Sequence, residues 1–278
     1  MDPPVTLSLL VVASETPDQM ADRRRRSGQA SHETFAGTLR QLDDGVALTE
    51  TNCVTGTDLS EADLARHDGI LYAGSPIQMH EDTPEVRAAA AFAAMAFASG
   101  TPSFGSCAGL QIATAAAGGT TRARPEGLEA GFARGIVALA DHPMLAGRPC
   151  SWDAPAMHSA EVDRPAPGTT VVARTPDTPV EAAEIRCGPG VHWGVQYHPE
   201  LALWEIADAL ESKADTLVAQ GMAEDEAAAK AFARTVRTLD ADPSRRDLAW
   251  QIGVGAEVLD RRRRGREIVN FLAHLRGR

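Results

Sequence analysis

The five residues Gly105-Ser106-Cys107-Ala108-Gly109 place a thiol among small neighbours. They sit where a short apolar run, Thr101 to Phe104, gives way to helical spacing from Leu110 to Ala117. A sharp strand-to-helix turn holds its tip residue in a strained backbone conformation and needs small side chains on either side. Such a turn presents Cys107 at the carboxyl edge of a sheet and at the amino end of a helix, where the helix dipole favours thiolate over thiol. The backbone N–H of Ala108 points the same way and can stabilise an oxyanion.

A base and its orienting group are offered by Val191-His192-Trp193-Gly194-Val195-Gln196-Tyr197-His198-Pro199-Glu200. Strand alternation puts Val191, Trp193, Val195 and Tyr197 on one face and His192, Gly194, Gln196 and His198 on the other. Pro199 has no N–H for a sheet ladder, so the strand ends as His198 reaches the edge. Glu200 can then turn back to hold the imidazole tautomer and stabilise its charged form, the part played by the third member of a catalytic triad. A third segment, Tyr72-Ala73-Gly74-Ser75-Pro76, ends an apolar run. A glycine there lets backbone approach a ligand, and the Gly74 N–H is a second candidate oxyanion donor.

No competing site is visible. Cys53, Cys150 and Cys187 have no matched base, and His32, His67, His80, His142 and His274 are scattered. Metal-type spacing, a C-x-x-C pair and a phosphate-binding glycine loop are all missing from the sequence, so no cofactor and no metal are expected. The net charge of −11 argues against nucleic acid and anionic membranes as partners. The arginine runs 23–26 and 261–264 read as solvated faces or loop edges. No stretch approaches the ~20 apolar residues of a membrane span, and the acidic start does not resemble a signal peptide. A cytoplasmic protein is expected.

The elements that position these residues follow from periodicity. Val5 to Ala13 reads as a strand covered on both faces. A polar stretch and a helix over 33–42 follow, then strands over 46–54 and 69–73, and an alanine-rich helix from Pro84 to Ala98 with proline in its first turn. This β-α-β-α order predicts an α/β fold, a doubly wound and mostly parallel sheet flanked by helices. Between Arg122 and Glu200 the pattern is of short strands, at 135–139, 169–173 and 191–197. After Pro199 the chain turns helical: a stripe of Leu203, Ile206, Leu210, Ala214, Leu217 and Val218, a helix over 224–239 and another over 266–275. The expected organisation is a catalytic domain over 1–202 with a helical extension, 203–278, packed on it.

Together, G-S-C-A-G-L-Q, G-V-Q-Y-H-P-E and A-G-S-P resemble the three signatures of class I glutamine amidotransferases, in order and at similar spacing over about residues 1–205. The resemblance is nearest to free-standing guanylate-synthase-like members, and implies their flavodoxin-like fold. It implies that Cys107 attacks the side-chain amide of glutamine to form a γ-glutamyl thioester, that His198 shuttles the protons, and that Glu200 orients His198. Gly74 and Ala108 would supply oxyanion N–H groups, Gln111 would contact the glutamine, and His158 and Ser159 would belong to a glutamine-holding segment.

Three departures stand out: Ser75 where many members have a second glycine, Ala108 where relatives often carry a larger residue, and residues 203–278, which lie beyond the family core. The family implies glutamine or a γ-glutamyl compound as substrate. It also implies ammonia release to a separate ATP-dependent synthetase, with outright hydrolysis of a γ-glutamyl amide as the alternative. A related cysteine peptidase, or a regulatory protein on the same fold, fits the motifs less well.

Overall fold

The computed structural model describes residues 6–278, so Val5 and the acidic start of the chain lie outside the described residues. One nine-stranded sheet organises the molecule. Its first strand β1 (Leu7–Ala13), one in from the β2 edge, is apolar and almost wholly buried, and pairs in parallel with β2 (Val46–Asn52) and β3 (Gly69–Tyr72). The parallel run continues through β4 (Ser103–Ser106) to β11 (Gly190–Val195). Between these strands the chain crosses in α2 (Ser31–Leu42), the four-residue α3 (Glu61–Leu64), α4 (Pro84–Ser99) and α5 (Ala108–Ala116). The central sheet is thus mostly parallel and flanked by helices, as the β-α-β-α order predicts.

Beyond β11 the sheet grows by antiparallel addition: β10 (Ala182–Cys187), β9 (Thr169–Arg174), β6 (Glu129–Ala138) and, at the edge, β7 (Ser151–His158). A separate two-stranded ribbon joins β5 (Thr120–Ala123) to β8 (Ala160–Arg164). The alternation expected along 191–197 is found. Trp193, Val195 and Tyr197 enter one core with Leu9 and Phe104, while His192 faces the other way, against Tyr72 and Phe97.

Several elements depart from expectation. The polar stretch after β1 is a helix, α1 (Pro17–Ser27), closed by a reciprocal cap: Thr16 Oγ1 accepts from Gln19 N–H (3.3 Å) and Gln19 Oε1 accepts from Thr16 N–H (2.9 Å). The apolar stripe after residue 203 is two helices, α6 (Leu203–Ser212) and α7 (Ala214–Ala219), broken at Lys213. α8 (Glu226–Ala241) follows, then the short α9 (Arg246–Ile252), α10 (Ala256–Leu259) and α11 (Arg261–Arg264), and finally α12 (Arg266–Arg276).

These helices bury two different surfaces. From α6 to α10 they share an apolar cluster with Leu128 and Phe132. α12 instead places Ile268, Phe271, Leu272 and Leu275 on the main sheet beside Leu7, Leu9, Phe35 and Trp193. The packing is close: a Cβ built on Gly69 would lie 2.7 Å from Leu275 Cδ1. Glu267 of α12 accepts hydrogen bonds from the Tyr197 hydroxyl (2.9 Å) and the Arg148 guanidinium (2.7 Å). Among the described residues no helix is long and apolar enough to cross a membrane.

Candidate active site

The site lies where the parallel strands end. Cys107, between β4 and α5, has φ 51° and ψ −104°, and is the only non-glycine residue with positive φ among the described residues. Two features force this conformation. Its N–H donates to the Val195 carbonyl at the end of β11 (2.7 Å), while α5 begins at the next residue. The small neighbours are required sterically: a Cβ on Gly105 would lie 2.8 Å from the Gly109 Cα, and one on Gly109 would lie 2.8 Å from the Tyr72 Cβ. The turn expected from G-S-C-A-G is present, and Ala108 offers one of the free N–H groups at a helix start.

His198 and Glu200 are both buried and are joined by a 2.7 Å hydrogen bond from His198 Nδ1 to Glu200 Oε1. That bond leaves Nε2 for the thiol. Burial opposes a charged ring here, but the Glu200 carboxylate and the Cys107 sulfur outweigh it and push the His198 pKa up to about 10. The strand end is pinned by His198 N–H donating to the Pro155 carbonyl (2.8 Å). Thr38 Oγ1 donates to the Glu200 carbonyl (2.8 Å).

Gly74 lies against both partners. A Cβ there would sit 2.6 Å from His198 Cε1 and 3.6 Å from the Cys107 Cβ. Cys107, His198, Glu200, Gly74 and Ala108 therefore converge. This arrangement can form a thiolate–imidazolium pair beside backbone donors, the parts needed to attack an amide carbonyl and protonate its leaving nitrogen.

The remaining expected residues are placed differently. Gln111 is buried, and its amide nitrogen is already committed, donating to the Ala160 carbonyl (2.9 Å) and to Gln196 Oε1 (3.1 Å). His158 faces its own surroundings: Nδ1 bonds the Ala160 carbonyl (2.9 Å) and Nε2 the Glu129 carboxylate (2.7 Å). Ser159 is exposed, and its carbonyl accepts from Arg124 N–H. The group in this segment that reaches Cys107 is the Met157 carbonyl, 4.0 Å from Sγ.

Sequence reasoning missed the charged layer behind it. Glu161 is 1% exposed, and Arg122 bonds it at 2.8 Å. Burial alone would raise the Glu129 carboxyl, but His158 and Arg124 hold it below the usual range. Burial and the nearby Glu129 push the Glu181 carboxyl well above the usual range. Glu129 and His158 are opposite partners in the β6–β7 register. Nothing local in the sequence announces such a pair.

Known proteins share this family and fold. Residues 68–200, which contain every converging residue, match the Peptidase C26 family. A γ-glutamyl-L-1-hydroxyisopropylamide hydrolase from a Pseudomonas species is 33% identical over 279 residues, covering 97% of this chain and 93% of the relative. A glutamine-hydrolysing GMP synthase subunit from Ignicoccus hospitalis is 30% identical over 174 residues, covering 63% of this chain and 85% of that protein. In fold, a glutamine amidotransferase of Thermotoga maritima superimposes with a TM-score of 0.61 at 13% identity, covering 98% of this chain and 99% of that one. Residues 203–278 are thus not foreign to such proteins, since two of these likenesses run through them. The chain is an amidohydrolase, and it belongs to the class I glutamine amidotransferase-like Peptidase C26 family.

Proposed function

We propose that this chain is a free-standing hydrolase of γ-glutamyl amides, working through Cys107, His198 and Glu200. The observation that carries this reading is the likeness to the Pseudomonas hydrolase over nearly the whole chain, C-terminal helices included.

In the proposed reaction Cys107 Sγ, as thiolate, attacks the γ-carbonyl carbon, and the N–H groups of Gly74 and Ala108 receive the oxyanion. The imidazolium of His198 gives its proton to the departing amine as the C–N bond breaks, leaving a γ-glutamyl thioester. His198, now neutral, takes a proton from water. The resulting attack on the thioester releases glutamate and restores the thiolate. Gln111 serves by holding the 157–160 segment, through Ala160, against the elbow helix.

The competing reading is ammonia supply to an ATP-dependent synthetase, which the GMP synthase likenesses support. Purified protein incubated with γ-glutamyl alkylamides and with glutamine separates the two. The proposed hydrolase releases amine and glutamate with no partner present, at a kcat in the ordinary range of ~1–10³ s⁻¹. Slow glutamine turnover that quickens only when a synthetase is added would assign the ammonia role instead.

The same assay ranks the triad. Because Glu200 holds the His198 pKa up near 10, Glu200→Gln lowers that pKa and moves the alkaline limb of kcat/KM to lower pH. Its loss of kcat should be roughly tenfold or more milder than that of His198→Ala, which removes the proton carrier itself. An unmoved alkaline limb, or a milder effect of His198→Ala, would show the roles misassigned.

A further inference from the structure

The C-terminal helices enclose a cleft of about 870 Å³, within the size range of small-molecule sites. Its floor is apolar, with Leu203, Leu239, Val254 and Leu259. At its rim stands Trp250, 86% exposed. A large side chain left in water beside a cavity is unusual for a residue type that normally buries most of its surface.

Against the same cleft lies Arg264, within a run that the sequence suggests is solvated but itself only 5% exposed. Its one side-chain hydrogen bond among the described residues goes from Nη1 to the Val258 carbonyl (2.5 Å), and it forms no ion pair among them. The contrast is with the other buried arginine of this region. Arg148 is answered by Glu257 and Glu267, both at 2.7 Å. Burying a guanidinium without a carboxylate is costly. Consistently, burial pulls the Arg264 pKa down to about 10 in spite of the opposing pull of Asp240.

The two carboxylates of the lining exert some pull on Arg264, but neither forms an ion pair with it, and each has one oxygen taken by a helix start. Asp240 Oδ1 accepts from Leu203 N–H (3.0 Å) at the start of α6, and Asp260 Oδ1 accepts from Arg263 N–H (2.8 Å) at the start of α11. Arg246 and Arg261 stand exposed at the margin and add positive charge.

We propose that this cleft is a second binding site, separate from the Cys107 centre, for an amphipathic organic carboxylate. Its carboxylate pairs with Arg264, and its apolar body lies on Leu239 and Val254 under the Trp250 indole. A planar guanidinium takes a carboxylate by two parallel hydrogen bonds, and the indole face gives an apolar or aromatic tail a wall with a large contact area.

The test uses the full chain and 3-phenylpropionate, with 3-phenylpropylamine and inorganic phosphate as controls, by titration calorimetry. The expected result is saturable one-to-one binding of the carboxylate, equal in wild type and Cys107→Ala, with no binding of the amine and far weaker binding of phosphate. Arg264→Gln weakens it about tenfold or more, the usual consequence of deleting a charge-assisted hydrogen bond. Trp250→Ala weakens it several-fold without changing amide hydrolysis.

If Arg264→Gln fails to fold, the surface variants Trp250→Ala and Arg261→Gln carry the test. Absence of saturable binding, or binding unchanged in those variants, overturns the site. A dimer that dissociates on Trp250→Ala, with no bound probe, would assign the face to a second copy of the chain. None of these outcomes bears on whether Cys107 cleaves γ-glutamyl amides, so the two proposals fail separately.

Discussion

Cys107→Ala leaves a folded protein with amide hydrolysis reduced by roughly four orders of magnitude or more, as loss of the nucleophile does in other triads. A glutamine-like diazoketone then finds no fast-reacting thiol, whereas in the wild type it alkylates Cys107 well ahead of the other three cysteines. The structure supplies internal controls for this. Cys53 is buried, and burial pushes its thiol up to about 12, so it stays protonated and inert. Cys150 is the exposed one, yet it lacks the imidazolium and helix start that Cys107 has.

Mass spectrometry of the labelled protein reads the outcome directly. Labelling of Cys150 at a rate comparable to Cys107, or full activity in Cys107→Ala, would remove Cys107 from the mechanism. The backbone adds a second readout. Cys107→Gly relieves the strained φ of 51° and offsets the lost packing by part of the ~1–3 kcal/mol that such strain stores. The inactive glycine variant is therefore expected to melt no lower than the inactive alanine one.

The second large effect is on folding. A fragment ending near residue 202 is expected to be insoluble, because it lacks α12. Ile268, Phe271, Leu272 and Leu275 are buried in the main core. Each contributes roughly 1.5–3 kcal/mol, and together they rival the ~5–15 kcal/mol that holds a typical domain folded. The truncation also bares Leu7, Leu9 and Trp193 on one sheet face and leaves the Tyr197 hydroxyl, next to His198, without Glu267. A milder variant guards against ambiguity: Phe271→Ala alone costs about 3–5 kcal/mol, read as a lowered midpoint in urea. A soluble, fully active 1–202 fragment would show that the helices are dispensable.

What could be read from the sequence was local. The elbow was legible because small residues cluster around one cysteine, and the face of His198 because alternation survives from Val191 to Tyr197. α1 was missed because none of its residues is buried, so no apolar period marks it; only the Thr16-Pro17-Asp18-Gln19 cap betrays it. β7 was missed because Pro155 argues against a strand, and is tolerated because β7 is the sheet's edge. β10 carries only a short alternation, Ala183, Ile185 and Cys187 against Glu184 and Arg186, too brief to stand out. The commitment of Gln111 to Ala160 and Gln196, and of His158 to Glu129, depends on pairing between distant segments, which residue types alone do not reveal.

The place of α12 has a consequence for how the protein is made. Asp43 is bonded to Arg276, 233 positions along the chain, and the face of β1 and β4 is closed by Phe271 and Leu275. A ribosome finishes the strand that precedes Cys107 long before it reaches that helix. During this interval the nascent chain carries a sheet with one greasy side open to water. Such distant closure slows folding and exposes intermediates to aggregation. The nascent chain should therefore lean on chaperones during synthesis, and cleavage competence should arrive late and abruptly, when the last helix docks.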